Sequence, residues 1–181
     1  MNLEIRDAEV ADMRPLHAIY AHHVLHGFGT FDETPSLGEF EDKWREVVAC
    51  GLSWLDADHQ GEPVGYAYAS PFRPRTGYRY SVEDSVYVRD DWRGRGVGKQ
   101  LLKPLIVRCE AAGARQVLAV IGDSQNAGSI VLHRNESFDH AGTIKGVGYK
   151  LGRWVDVVIM QRALNGGDKS LPPVRAAWRA A

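Results

Sequence analysis

The sequence predicts a single-domain α/β (α+β) fold in which a mixed sheet carries helices on both faces. Its 181 residues are enough for one domain with a sizeable core and few for two. Segments with the period-two pattern of a strand alternate along the chain with segments that have the periodicity of a helix. A predicted strand over residues 81–88, a helix over 99–112 and a strand over 117–121 follow one another, so a right-handed crossover should join two parallel strands.

The first third of the chain predicts one strand and two helices. Residues 3–6 alternate between apolar and polar side chains, as a strand does. Asp12 is a candidate N-cap for the first helix. Ser36 and Glu39 form a capping box at the start of the second helix, which Gly51 ends. The predicted buried faces are Leu16, Ile19 and Tyr20 in the first helix and Phe40, Trp44 and Val47 in the second.

The remaining elements complete the predicted sheet. Residues 53–57 and 63–69 alternate on either side of the turn 59–62 and predict a hairpin. The run over 117–121 is uniformly apolar, which is typical of a strand buried on both faces. The further predicted elements are a short helix over 127–135 and two last strands over 139–144 and 154–161.

Composition and charge exclude several classes of protein. With 44% hydrophobic and 25% charged residues, the chain matches an ordinary soluble globular protein rather than a disordered one. No apolar stretch reaches the roughly 18 residues of a membrane span, and no signal peptide is predicted. Only two cysteines, Cys50 and Cys109, are present, which excludes a disulfide scaffold and fits a reducing cytoplasm. A net charge of −1 creates no field that would attract nucleic acid or an anionic membrane.

The sequence changes character after Arg162. A cluster of helix- and strand-breaking residues occupies 165–168, and two prolines stand at 172–173. We therefore predict one folded domain over residues 1–162 and a flexible C-terminal tail over 163–181, with a packed terminal segment as the alternative.

The central motif is the segment 93–99, Arg-Gly-Arg-Gly-Val-Gly-Lys, between a predicted strand and the start of a predicted helix. Glycines allow a tight turn whose amides meet an anion at the helix N-terminus, and positive charges predominate nearby. A nucleoside-triphosphatase loop would need glycine at Arg93 and serine or threonine at Gln100. A dinucleotide-binding loop would need glycine at Lys99. The motif predicts a phosphate site of another type, with a plain glycine-rich turn as the alternative.

Two motifs resemble the GNAT superfamily of N-acetyltransferases. Arg93-x-x-Gly96-x-Gly98, after the strand over 85–88, resembles the loop that holds the pyrophosphate of coenzyme A. The second motif, Asn126-x-x-Ser129-x-x-Leu132-His133-x-x-x-Ser137-Phe138, resembles a later helix with which the family binds the same coenzyme. Within the superfamily, the likeness is to the phosphinothricin and methionine sulfoximine N-acetyltransferases. It covers residues 1–162 and depends on a set of segments, namely 30–34, 72–75, 78–83, His133 and 152–156.

This resemblance implies a GNAT-like, mostly antiparallel twisted sheet with a central parallel strand pair. It also implies acetyl-CoA as co-substrate and a homodimer. The implied cofactor-binding residues are Val86, Tyr87, Val88, Arg93, Gly94, Arg95, Gly96, Val97, Gly98, Lys99, Asn126, Ser129 and His133. The Val88 amide is expected to polarise the thioester carbonyl. His133 stands where the family often has a thiol-protonating tyrosine, so it is either a catalytic acid or only a cofactor contact.

Acetyl transfer to an amine needs a group that takes the ammonium proton. Alternation places Glu83 on one face of its strand, beside other polar side chains, and Asp84 on the other face. Glu83 is therefore the expected catalytic base, with Asp84 or bulk solvent as alternatives. A surface ion pair with Arg79 would instead give Glu83 a structural role.

The acceptor side is predicted from arginines and aromatic residues. The guanidinium forks of Arg73 and Arg75 suit planar or tetrahedral anions such as a carboxylate or a phosphinate. Phe31 and Tyr78 are candidates for the pocket walls. Solvated loop arginines and ordinary aromatic packing are the alternatives. The expected acceptor-binding residues are Phe31, Arg73, Pro74, Arg75, Tyr78, Glu83 and Asp84.

Together these features predict a cytoplasmic acetyl-CoA-dependent N-acetyltransferase that acts on the amine of a small amino-acid analogue. Direct transfer is expected, because no activated nucleophile is apparent. No metal is expected either, because His22, His23 and His26 lack further ligands nearby. The alternatives are an acetyltransferase for peptide or protein N-termini and a non-catalytic acyl-CoA-binding module.

Overall fold

The computed structural model describes residues 2–172 and residue 178. The helices are α1 (Met13–His26), α2 (Leu37–Ala49), α3 (Val97–Ala111) and α4 (Ala127–Asn135), and the strands are β1 (Glu4–Asp7), β2 (Trp54–His59), β3 (Glu62–Pro71), β4 (Ser81–Val88), β5 (Gln116–Gly122), β6 (Asp139–Lys150) and β7 (Arg153–Ala163). The strands form one sheet in the order β1-β2-β3-β4-β5-β7-β6. Among the strands that the structure describes, only β4 and β5 pair in parallel, so the predicted mixed fold with a central parallel pair is confirmed.

Most strand boundaries differ from prediction by one or two residues, and two larger or structurally informative differences, in α3 and β6, have local reasons. Helix α3 begins at Val97 rather than at 99, because Gly96 adopts a left-handed conformation with φ of 80° and caps the helix. Strand β6 continues to Lys150 rather than ending at 144. Its register against β7 shifts twice, which breaks the period-two pattern that sequence analysis relies on.

Asp12 stands at the predicted N-cap position of α1, but its side chain is used differently. Its side chain makes no hydrogen bond to the first turn of that helix. Instead it accepts a hydrogen bond from the Glu9 amide at 2.7 Å and two from the Arg6 guanidinium at 2.8 Å. A bidentate arginine partner has thus replaced the expected helix cap, and it ties β1 to the start of α1.

The two faces of the sheet carry different helices. Tyr66 of β3 and Tyr87 of β4 pair across the strands and pack against the face covered by α1 and α2. Gly65 and Val88 pair on the opposite face, where a side chain at Gly65 would meet α3. Strand β4 therefore presents Glu83, Ser85 and Tyr87 to one layer of helices and the residues between them to the other.

Strands β4 and β5 diverge at the centre of the sheet. Their pairing covers only Ser81–Asp84 and Gln116–Ala119. The Arg89 amide donates to the Val64 carbonyl of β3 at 2.9 Å. Because backbone groups of successive strand residues point to opposite edges, the backbone groups of Val86 and Val88 point toward β5. The divergence opens a gap beside these two residues.

The predicted tail follows β7 directly. Leu164 is buried, and the Arg115 guanidinium donates to the Gly167 carbonyl at 3.0 Å and to the Ser170 carbonyl at 2.7 Å. These contacts favour the packed alternative for residues 163–170, whereas Leu171 is exposed. Residues 173–177 and 179–181 of the predicted tail lie outside the described residues, and the domain boundary stays a prediction. Among the described residues, no helix has the length and apolar character needed to cross a membrane.

Candidate active site

A cleft of about 800 Å³ lies where β4 and β5 diverge. It is bounded by the end of α1, by β4, by the glycine loop and by the start of α4. The predicted cofactor residues that line it are Val86, Tyr87, Val88, Arg93, Gly94, Gly96, Val97, Gly98, Lys99, Asn126, Ser129 and His133. Arg95 is not among the lining residues, because its guanidinium lies over the Trp92 ring, 5.1 Å from the ring centroid. Asp84 also lines the cleft, although it was expected on the acceptor side.

The glycine loop has the geometry of an anion site. Gly94 and Gly96 have φ of 72° and 80°, in the left-handed region that favours glycine. The loop ends at the N-terminus of the 15-residue helix α3, where unpaired amides and the helix dipole attract negative charge. Gly98 has a different role, because a side chain there would lie 3.1 Å from Leu132 of α4. Gly96 therefore shapes the loop, whereas Gly98 lets α3 and α4 approach each other.

His133 and Asp84 form a buried pair on the cleft side of β4. The side chains of His133 and Asp84 are 4% and 2% exposed, and Nε2 lies 2.9 Å from Asp84 Oδ2. The other ring nitrogen, Nδ1, lies 2.8 Å from the Ser129 carbonyl, which can only accept. Burial lowers the pKa of His133, but the hydrogen bond and charge of Asp84 and the Ser129 carbonyl raise it above its usual value overall. Both ring nitrogens of His133 are thus engaged, Nε2 with Asp84 and Nδ1 with the Ser129 carbonyl.

A contact that sequence reasoning missed holds the end of β4. His23 of α1 lies with Nε2 2.9 Å from the Val88 carbonyl, so Nε2 must donate. Burial lowers the pKa of His23, which keeps the ring neutral. His22 and His26 contact each other instead, with ring centroids 4.8 Å apart. The described residues contain no group of three potential metal ligands.

Glu83 faces the α1–α2 side of the sheet and Asp84 the other side, so the two carboxyl groups lie on opposite faces as alternation predicted. Burial and then the adjacent Asp84 carboxylate raise the pKa of Glu83 to about 7, against the opposing effects of Arg73 and Lys43. Arg79, its suggested surface partner, instead donates to the Thr76 carbonyl at 3.1 Å. A carboxyl group that titrates near neutral pH is suited to general-base catalysis.

The candidate acceptor residues lie in the segment before α2 and in the loop between β3 and β4, and the charge of Arg73 acts on Glu83. Phe31 is 41% exposed and its ring packs on Gly148, where any side chain would overlap it. Arg73 lies over the Phe72 ring at 4.9 Å, and Tyr78 meets the same ring edge-on at 5.6 Å. Pro74 and Arg75 are exposed in the same loop.

Two further residues on this face were absent from the sequence prediction. Lys43 of α2 lies over the Tyr68 ring, 5.3 Å from its centroid. Asp32 accepts hydrogen bonds from the hydroxyl groups of Tyr20 and Thr30. The one signal for Lys43 in the sequence is its position in the same helical stripe as buried Phe40 and Val47.

Comparisons with known proteins agree with this geometry. The profile of the acetyltransferase (GNAT) family matches residues 16–137. Phosphinothricin N-acetyltransferase from Alcaligenes faecalis is 48% identical over 162 residues, which cover 89% of this chain and 82% of that protein. The L-methionine sulfoximine/L-methionine sulfone acetyltransferase from Pseudomonas paraeruginosa is 44% identical over 167 residues, with 91% and 96% coverage.

A solved structure extends the similarity to the whole fold. The GNAT superfamily phosphinothricin acetyltransferase from Sinorhizobium meliloti, in complex with AcCoA, superimposes with a TM-score of 0.93 at 43% identity. The alignment covers 97% of this chain and 96% of that one.

Proposed function

Because the chain belongs to the GNAT acetyltransferase family and is an acetyl-CoA-dependent N-acetyltransferase, we propose that its acceptor is the α-amine of a small amino-acid analogue such as phosphinothricin or methionine sulfoximine. The main support is the position of Glu83, a carboxyl group with a pKa of about 7 that lies within the electrostatic influence of Arg73 and Lys43. An amine and an anion can be bound there together, as an α-amino acid requires. The names of the relatives point to the same substrate class.

An amine panel tests this proposal. The protein is incubated with acetyl-CoA, and release of free thiol is followed with L-phosphinothricin, L-methionine sulfoximine and a short peptide with a free N-terminus. We expect turnover with the two amino-acid analogues and little with the peptide. Preferential acetylation of the peptide would favour an N-terminal acetyltransferase. Binding of acetyl-CoA without turnover on any amine would favour a non-catalytic module.

The residues of the cleft suit acetyl-CoA, which supplies the acetyl group as a thioester. The amides around Gly96 and the cations Arg93 and Lys99 would hold its pyrophosphate. The backbone groups of Val86, which point into the β4–β5 gap, would bond the pantetheine amides. The Val88 amide would stabilise negative charge on the carbonyl oxygen.

On the other side of β4, Glu83 would remove a proton from the acceptor ammonium, directly or through one water. An ammonium has no lone pair to attack a carbonyl, so this deprotonation must precede acyl transfer. Arg73 and Arg75 would hold the acceptor carboxylate and thereby fix the amine against the strand. His133 would contact the thiol end of the cofactor, and its two engaged nitrogens favour a contact role over an acid role.

Gly96→Val is expected to weaken acetyl-CoA binding by about tenfold or more, because a β-branched residue resists positive φ and the loop amides would turn away from the phosphate. Calorimetric titration with acetyl-CoA measures the effect. Gly61→Val is the matched control, since Gly61 also has positive φ, at 87°, but lies in the β2–β3 turn. Equal affinities in the two variants would contradict the loop assignment.

We also propose that the protein is a homodimer located in the cytoplasm. Trp154 and Tyr149 are 67% and 64% exposed and lie 5.3 Å apart at the tip of the β6–β7 hairpin, on the edge of the sheet. Apolar surface of this kind supports self-association. The free thiols of Cys50 and Cys109 fit a reducing compartment. Light scattering is expected to give twice the chain mass of 20.1 kDa, and a monomeric mass would contradict the dimer.

A further inference from the structure

A lysine occupies the sheet-facing stripe of α2. Lys43 follows Phe40 by three positions and precedes Val47 by four, so the three residues share one face of the helix. Phe40 and Val47 are buried, whereas Lys43 is exposed and its ammonium lies 5.3 Å from the centroid of the Tyr68 ring. A helix position next to two core residues is ordinarily apolar, so a cation there points to a function other than packing.

The Tyr68 ring, which lies beneath Lys43, has a fixed position relative to Glu83. Tyr68 is buried and stacks on Trp54 with ring centroids 4.1 Å apart. It lies opposite Ser85 of β4, while Ser70, two residues further along β3, lies opposite Glu83. Facing residues of antiparallel strands point to the same side, so the Tyr68 ring and Glu83 share one face and are about 6.6 Å apart along the strands.

The electrostatic surroundings of Lys43 differ from those of Arg73, the other cation near Glu83. Lys43 forms no ion pair with any described residue. Desolvation lowers its pKa, but Tyr68, Asp32 and Glu83 raise it overall, so the ammonium stays charged. Arg73 follows the end of β3, where Pro71 lies opposite Val82, on the other side of Glu83 from Tyr68, and its charge acts on Glu83 more strongly than that of Lys43. Arg73 is therefore the cation suited to a carboxylate next to the acceptor amine, and Lys43 is suited to a more distant anion.

We propose that Lys43 is a specificity-determining residue that binds an anionic oxygen on the acceptor side chain, while Arg73 binds the α-carboxylate. This inference rests on the proposed function. An amine held at Glu83 and an oxyanion held over Tyr68 correspond to an α-amino acid whose charged group lies about two methylenes beyond the α-carbon. The site would then prefer a phosphinate to a neutral sulfone on a side chain of similar length.

The test compares L-phosphinothricin with L-methionine sulfone, of which only the first carries side-chain negative charge. Lys43→Met should lower kcat/KM for phosphinothricin about 10- to 100-fold, which is the effect of losing a charge-assisted hydrogen bond. The loss for methionine sulfone should be smaller, so that the ratio of the two values falls at least about fivefold. Lys43→Arg should restore most of the ratio. Arg73→Ala should reduce both values alike.

A ratio that stays within about twofold of the parent value in Lys43→Met would overturn the inference, given that such a difference lies below the effect of one neutral hydrogen bond. Equal losses on both acceptors with a shifted pH profile would also overturn it, because Lys43 would then act only through the ionisation of Glu83. If the parent protein acetylates neither compound, the proposed function itself fails. Unchanged thermal melting of Lys43→Met, which is expected for an exposed residue, excludes misfolding as the cause of any loss.

Discussion

Glu83→Gln is expected to lower kcat by about 100- to 10,000-fold, the usual contribution of a positioned general base. Glutamine keeps the shape and the half-buried position but cannot accept the ammonium proton. The pKa of Glu83 is raised to about 7, so the kcat of the parent should rise with pH through this value as the carboxylate forms. In the variant this limb should disappear, and the rate should instead rise at the higher pH where the free amine deprotonates.

Although Glu83→Gln should lower kcat, it is not expected to lower the stability of the folded protein. Because the folded pKa of Glu83 lies above that of an unfolded glutamate, its ionised form is disfavoured in the folded protein. The stability contribution of Glu83 is therefore present at low pH and lost as pH rises through about 7. Glu83→Gln should melt no earlier than the parent at pH 8.

The control for Glu83→Gln is Glu62→Gln, in an exposed carboxylate of the β2–β3 hairpin, which should leave kcat unchanged. A Glu83→Gln variant with the kcat and pH profile of the parent would exclude Glu83 as the base. Deprotonation in bulk solvent would then be the better mechanism, with the enzyme contributing mainly the positioning of the two substrates.

The sequence predicted the fold because its local signals agree with the tertiary structure. The capping box of Ser36 and Glu39 is present, with the Ser36 amide 2.7 Å from the Glu39 carboxylate. The glycine loop lies between β4 and α3, where its spacing placed it. Alternation along β4 correctly separated Glu83 from Asp84, because a strand without a bulge must turn successive side chains to opposite faces.

The missed features depend on contacts between distant segments. His23 meets the Val88 carbonyl across 65 positions, and no local pattern encodes such a contact. Lys43 is exposed and looks like any other surface lysine until Tyr68 is placed beneath it. Asp84 was assigned to the acceptor side because it adjoins Glu83 in the sequence, yet it faces α4 and pairs with His133. The specific partner of a buried polar group is a tertiary property that the sequence does not display.

Asp84→Asn is expected to destabilise the protein most strongly at acidic pH, because it removes the counter-charge of a buried imidazolium. In the parent, the folded pKa of His133 is raised. The stabilisation from the pair is thus fully present below the unfolded histidine pKa of about 6.5 and is lost as pH rises through the folded value. In the variant the effects of Asp84 are lost, and burial, the largest of the causes, outweighs the Ser129 carbonyl and lowers the pKa of His133, so stability should fall as pH drops through about 6.5.

Denaturant unfolding of Asp84→Asn should show a loss of about 3–5 kcal/mol at pH 5.5, the cost of breaking a buried ion pair by removing one partner. As pH rises through the folded pKa of His133 the loss should shrink toward about 1 kcal/mol, that of a neutral hydrogen bond. Asp91→Asn, which removes an exposed partner of Arg89, should leave the pH dependence unchanged. A pH-independent loss in Asp84→Asn would contradict a protonation equilibrium of His133 that is coupled to Asp84. The Asp84 charge also raises the pKa of Glu83, so the rising limb of the pH profile of kcat should move to lower pH in Asp84→Asn. This shift would show that the buried pair on one face of β4 influences the proposed base on the other face.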